Sequence, residues 1–225
     1  SLYYLESKIK KLKDESNLSN CIKDSYEIDL SDNQYQPLST KECFNRVLNL
    51  VNSDKLIGGS ADLTSSNGTK SKNMQDFSSE NYGGNYINYG IREHAMGAII
   101  NGINTGEIFR AFSGTFLSFA DYMRPAIRLA ALMNINSIFV FSHDSIFIGH
   151  DGPTHQPVEQ LDSLRLIPNL NVWRPCDYQE TLECFKYILR SESPSALILS
   201  RQKIRNSHQY GNIDSLLAVP CGGYI

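Results

Sequence analysis

"INSIFVFS", residues 135–142, is an apolar run that passes directly into "HDSIFIGHDGPTHQP", residues 143–157. The first part reads as a strand buried on both faces, which is the mark of a parallel sheet covered by helices. The second part holds three of the chain's five histidines, two aspartates and a Gly-Pro turn. Titratable groups placed directly after a buried strand have three readings. They are a solvated loop, a metal site, or acid, base and anion-binding groups at a strand's carboxyl end.

Working outward, strands and helices alternate. "STKECFNRVLNLVNSD" (39–54) has apolar residues at helical spacing, with Thr40 as the expected N-cap. "KLIGGSADL" (55–63) reads as a strand entering a glycine turn, and "SSNGTKSKNMQDFSSENYGGN" (65–85) as one long irregular loop. "REHAMGAIINGINTG" (92–106) is helical with Gly106 as C-cap, "EIFRAFS" (107–113) is a strand, and residues 115–134 form a long helix kinked at Pro125. A helix from about Val158, a strand at 170–175, a helix at 177–191 and a strand at 195–200 follow. This alternation predicts an α/β fold, a doubly wound, mostly parallel sheet flanked by helices on both faces. Residues 1–38 are polar and read as a connecting arm with a short helix over 2–13. Residues 216–225 read as the start of a linker to a further domain.

Composition narrows the class. A net charge of −3 leaves no basic footprint for nucleic acid, and no apolar run is long enough for a membrane span. The cysteines (Cys21, Cys43, Cys176, Cys184, Cys221) are odd in number and contain no CxxC, which reads as reduced thiols in a cytosol-like compartment. The first residues lack a signal-peptide pattern, so the sequons at Asn17 and Asn67 are expected to be idle.

Ligands of doubly wound sheets sit outside the carboxyl ends of the strands. The chemically rich stretches "GGSADLTSSN", "NYGIREHAMG", "HDSIFIGHDGPTHQP" and "LSRQ" all fall there. His143, Asp144, His150, Asp151 and His155 are ligand types that zinc accepts, but their spacings fit no structural zinc pattern. As a cluster they equally suit proton transfer and anion recognition, or hydrogen bonding to a loop backbone. Glu93 falls at the start of a helix, where a carboxylate is favoured by the dipole alone; a functional role requires a buried ligand with a basic nitrogen. Phe116, Phe119 and Tyr122, spaced i, i+3, i+6, share one face if helical, either as ordinary core or as a pocket for a flat ring.

Taken in order, "LIGGSADLTSSN", "NYGIREHAMGAIINGI", "GTFLSFADYMRPAIRLAAL", "HDSI", "DGPTHQPVEQL", "LIPNLNVWRPCD" and "LSRQ" resemble the middle, pyrimidine-binding domain of transketolases, across about Ser39 to Arg205. The resemblance implies a pyrimidine-binding domain over 39–215 of an enzyme that uses thiamine diphosphate. That enzyme transfers a two-carbon ketol unit from a ketose phosphate to an aldose phosphate in the pentose phosphate pathway. It assigns Glu93 to the aminopyrimidine N1′, Phe116, Phe119 and Tyr122 to the pyrimidine ring with Phe119 stacking on it, and Asp62 to the thiazolium side. It places His155 and Asp151 beside the sugar, His155 in a catalytic role, and His143, Arg201 and Ser66 at the sugar phosphate. Lys41 stands where the family carries a phosphate-binding arginine, and gives charge without the bidentate fork. His150 replaces a glutamate and Phe147 a small residue.

No GDG motif followed by asparagine is present in the 225 residues. The resemblance therefore assigns the diphosphate and its magnesium or calcium ion to a separate N-terminal domain of another subunit, in a homodimer. It implies that this chain alone is inactive, and a cytoplasmic setting, with a plastid-type organelle compatible. A dihydroxyacetone synthase-like ketol transferase shares these motifs. A non-catalytic thiamine-fold module is the alternative from another class, and Glu93 with its aromatic neighbours argues against it.

Overall fold

The computed structural model describes residues 37–51 and 53–204, with Val219 and Gly222. The helix expected over 2–13 and the remaining expectations for residues 1–36 and 205–225 lie outside the described residues. Six strands form one sheet: β1 (Leu56–Ser60), β2 (Tyr86–Asn88), β3 (Arg110–Phe116), β4 (Ile138–Ser142), β5 (Asn171–Trp173) and β6 (Ser195–Ile198). Their order is β2-β1-β3-β4-β6-β5, and every pair is parallel. The winding reverses between β1 and β3, which opens a crevice at their carboxyl ends.

The helices are α1 (Thr40–Leu50), α2 (Thr64–Asn67), α3 (Glu93–Thr105), α4 (Ala120–Met133), α5 (Gln160–Arg165) and α6 (Tyr178–Arg190). α1 and α6 cover one face through Phe44, Val47, Leu48, Phe185 and Ile188, which pack on Phe112, Val140 and Leu197. α3 and α4 cover the other through Met96, Ile100, Met123 and Ile127, which pack on Ala111, Phe139, Phe141 and Ile198. Every residue of β3 and β4 is buried, as the apolar run at 135–142 requires of a two-sided strand.

Several local expectations are corrected. The N-cap of α1 is Ser39, not Thr40: Ser39 Oγ accepts from the Glu42 amide while Glu42 Oε2 accepts from the Ser39 amide, a full capping box. Thr40 instead ties α1 to the end of β6. Its amide donates to Ser200 Oγ at 3.1 Å, and its Oγ1 accepts from the Ser200 amide at 2.7 Å. The expected loop at 65–85 starts within α2 and ends at the edge strand β2, both too short for a periodicity to register. Residues 115 and 116 belong to β3, and a 3-10 turn at Leu117–Phe119 precedes α4, so the aromatic trio spans a strand end, a turn and a helix. Pro125 sits in the second turn of α4, and the helix continues through it to Met133.

α3 and α4 meet closely at Gly97, where an added Cβ would lie 2.7 Å from Met123 Cγ and 2.9 Å from Ala126 Cβ. That approach fixes the helix whose first residue is Glu93. Gly97→Val is expected to lower stability by about 1–3 kcal/mol, read as a drop in the urea midpoint.

Candidate active site

The crevice between β1 and β3 is a cavity of about 520 Å³ lined by Ala61, Asp62, Leu63, Ile91, Glu93, Phe119, Tyr122 and His155. Asp62 follows β1, Glu93 follows β2, and Phe119 follows β3, so three strand ends converge on one space. Glu93 is the first residue of α3 and is buried, 8% exposed. Among the described residues no side chain or amide donates a hydrogen bond to its carboxylate, although the helix dipole favours charge there. Such a carboxylate asks for a donor from a ligand. The Phe119 ring faces Tyr122 at 6.0 Å and His155 at 5.1 Å, the latter edge-on at 70°. The residues fit an aminopyrimidine: an unpaired acceptor, an aromatic surface and a volume large enough for a flat ring.

Phe116 lies apart from this cavity's lining. It is buried at the end of β3, stacked on His143 at 3.8 Å and parallel to Phe119 at 6.0 Å and 8°. It thus backs Phe119 and links the cavity to a second cluster built around His143.

That second cluster comes from distant segments. The Thr40–Ser200 bonds and the Leu38–Ile204 bridge bring Lys41 to the carboxyl end of β6, beside Arg201. Lys41 Nζ donates to the Ser66 carbonyl at 3.0 Å, placing α2 next to α1. Burial pulls the Lys41 ammonium below its usual range, with Glu42 opposing and Arg201 adding to the effect. The Arg201 guanidinium packs on Gly149, where an added Cβ would stand 3.1 Å from Nη1, and the φ of +109° there also requires glycine. Gln202 Nε2 donates to the Phe147 carbonyl, so "LSRQ" holds the loop after β4. The Phe147 side chain is exposed, as are His150 and Asp151.

His143 is 4% exposed and has φ +60°, a left-handed conformation it shares with Asp62 at +61°. Both lie at strand ends lining the site, where such strain concentrates. Burial, then the Lys41 and Arg201 charges, pull the His143 imidazole down to about 4, with Asp151 opposing and His155 adding to the fall. His155 pairs its Nδ1 with Thr154 Oγ1 at 2.9 Å. Asp144 is held by Arg174 at 2.8 Å, away from the histidines' ring contacts. Among the described residues no three of His, Cys, Asp or Glu gather in a group that could hold a metal ion. Cys43 and Cys184 are buried with thiols pushed up to about 12, so neither offers a thiolate.

Two participants were missed in the sequence. Asn67, noted only for its sequon, is fully buried, with its amide bonded to Ser60 and Ser142. Ser142 was counted as the last residue of an apolar strand. A hydrophilic residue closing such a strand, next to a histidine, was the available signal.

Residues 36–207 match the family model described as "Transketolase, pyrimidine binding domain". A transketolase of Treponema pallidum is 49% identical over 170 residues, covering 74% of this chain and 26% of its own length. The solved transketolase of Leishmania mexicana superposes with a TM-score of 0.83 at 39% identity, covering 95% of this chain and 32% of that one. A transketolase of Pichia stipitis in complex with sedoheptulose 7-phosphate gives 0.79 at 41% identity, covering 84% and 29%. The chain thus spans about a quarter of the length of the curated relatives it matches.

The low His143 value makes stability pH-dependent. The unfolded chain binds this proton first as pH falls, so the contribution is full above pH 6.5 and is lost between 6.5 and about 4. Its size is about 3 kcal/mol at most. His143→Asn, which tolerates a positive φ, is expected to lose less stability between pH 7 and 4.5 than the parent, measured as the difference in urea midpoints.

Proposed function

We propose that this chain, which belongs to the transketolase pyrimidine-binding domain family, supplies half of a thiamine diphosphate site in an enzyme that moves a two-carbon ketol unit from a ketose phosphate to an aldose phosphate. The observation that carries this reading is the buried Glu93 carboxylate, without a donor among the described residues, on a cavity walled by Phe119 and Tyr122. Glu93 would hold a proton at N1′ of the aminopyrimidine, in a place where burial makes that hydrogen bond strong. Phe119 would carry the ring, backed by Phe116, and Asp62 would face the thiazolium side. The cofactor supplies the carbon nucleophile and electron sink; the protein supplies orientation and protons.

His155, at the cavity edge, is suited to exchange a proton with a substrate hydroxyl, with Asp151 nearby in the same loop. Lys41 and Arg201, with Ser66 and His143, form the anion end and would hold the sugar phosphate. The sedoheptulose 7-phosphate named for the Pichia relative is a ligand of this kind. Lys41 gives a point charge, so Arg201 carries the bidentate share of phosphate binding.

The diphosphate and a divalent ion, magnesium or calcium, are assigned to a diphosphate-binding domain of another subunit in a homodimer. Ile91 and Tyr122, 78% and 66% exposed on the cavity wall, support a site that a second surface completes. Among the described residues no helix is long and apolar enough to cross a membrane. A cytosolic enzyme of pentose phosphate metabolism is the setting this reading implies.

Calorimetric titration of thiamine diphosphate with magnesium tests the proposal, using this chain alone and mixed with a separately produced diphosphate-binding domain. Binding and ketol transfer are expected only in the mixture. Glu93→Gln and Phe119→Ala are each expected to weaken binding ten-fold or more, about 1.4 kcal/mol or more. Ketol transfer by this chain alone, or binding indifferent to Glu93→Gln, would overturn it.

A further inference from the structure

A chain of side-chain hydrogen bonds runs from β3 to the His143 imidazole, and its direction is set at one end. Ser60 Oγ lies 3.1 Å from the Gly114 carbonyl oxygen, which has no proton to give, so the Ser60 hydroxyl must donate there. With its only proton committed, Ser60 Oγ accepts, from the Leu63 amide at 3.2 Å and from Asn67 Nδ2 at 3.1 Å. That fixes the Asn67 amide with Oδ1 toward Ser142. Ser142 Oγ then donates to Asn67 Oδ1 at 2.6 Å. Its proton is now spent as well, and His143 Nδ1 stands 2.8 Å away. The remaining possibility for that contact is donation from Nδ1–H to Ser142 Oγ.

We infer that Asn67 and Ser142 are positioning residues that hold the His143 proton on Nδ1, so that the imidazole meets a ligand with Nε2 as a hydrogen-bond acceptor. Isolated imidazoles of histidine prefer the proton on Nε2, so the arrangement is imposed by the wire. Burial between Phe116 and the strand ends keeps the ring from turning over. Lys41 and Arg201 as cations, Asp151 as anion and His155 are the charged or titratable groups that act on it, and the balance favours the neutral ring. For ligand binding, a consequence that rests on the ketose-phosphate reading above, His143 accepts from an O–H of the sugar or of a singly ionised phosphate. Arg201 and Lys41, rather than His143, then donate to a doubly charged phosphate. This separates two tasks within a cluster that sequence treats as one.

The test uses long-range proton–nitrogen NMR spectra of the 15N-histidine-labelled chain at neutral pH without ligand, so its outcome is independent of the functional reading. His143 is assigned by loss of its signals in His143→Asn. The parent is expected to show the proton on Nδ1. Asn67→Ala frees the Ser142 hydroxyl to donate to Nδ1, and the proton is expected to move to Nε2, as it does in Ser142→Ala. Asn67→Asp is expected to retain Nδ1–H: ionised, the carboxylate accepts from Ser142; protonated, it reproduces the amide's pattern of donor and acceptor. A residue that merely filled space at position 67 would leave the tautomer unchanged. Amide spectra establish that each variant is folded. A parent carrying the proton on Nε2, or a folded Asn67→Ala that keeps it on Nδ1, would sink the inference.

Discussion

All seven residues of β3 and all five of β4 are buried, so the centre of the sheet has no solvent-facing side on which chemistry could be placed. Helices occupy both faces because the strands are apolar on both, and a parallel sheet needs crossovers that return above and below. What is left for polar groups is the rim of carboxyl ends. Each crossover delivers one loop to that rim, and segments far apart in sequence become neighbours there. The Thr40–Ser200 pair makes the point at greatest range, since two buried hydroxyl–amide bonds across 160 residues set Lys41 beside Arg201.

The interior and the rim differ in how their polar groups are treated. Behind the site, Asn101, Asn104 and Ser137 form a closed buried network: Asn104 reaches the Ala111 backbone on both sides, and Ser137 bonds both asparagines. Such a network fixes one packing of α3 against β3 and β4. At the rim, Glu93 is buried without a donor among the described residues, and Asp62 and His143 sit in left-handed conformations. A left-handed φ at a non-glycine residue costs stability, and the packed strands and helices around these two positions hold them there. These departures meet at the crevice where the winding reverses, and others lie away from it: among the described residues Arg110 Nε and Ser113 Oγ are buried without a hydrogen-bond partner, and Asn134 and Asn169 also have positive φ.

Legibility followed the length and repetition of each signal. The apolar run at 138–142, the helical spacing of α3 and α6 and the strand at 195–198 were readable because four or more residues agreed. The resemblance then gave Glu93, His143, His155 and Arg201 roles that spacing alone left open. β2, three residues long on an edge, and α2, four residues long, lacked enough repeats to be separated from loop. Thr40 was mistaken for the cap because Ser39 and Thr40 are both good caps, and only the Glu42 partner decides between them. Phe116 looked helical because i, i+3, i+6 spacing carries no information on where a strand ends. Asn67 and Ser142 were invisible for a different reason: their roles depend on which atom holds a proton in a chain of four side chains from three segments.

The field at the anion end also bears on the oldest ambiguity of this sequence, whether its histidine-rich segment gathers a metal. A divalent cation beside His143 would face the Lys41 and Arg201 charges, which already disfavour one positive charge on that imidazole strongly enough to help bring it down to about 4. Asp151, exposed and alone in opposing them, does not reverse the sign. An anion meets the opposite balance: the charges that repel a proton from His143 attract it, and Ser66 and the loop held by Gln202 border the same space. At His143 the neutral imidazole is the form that burial and these charges favour.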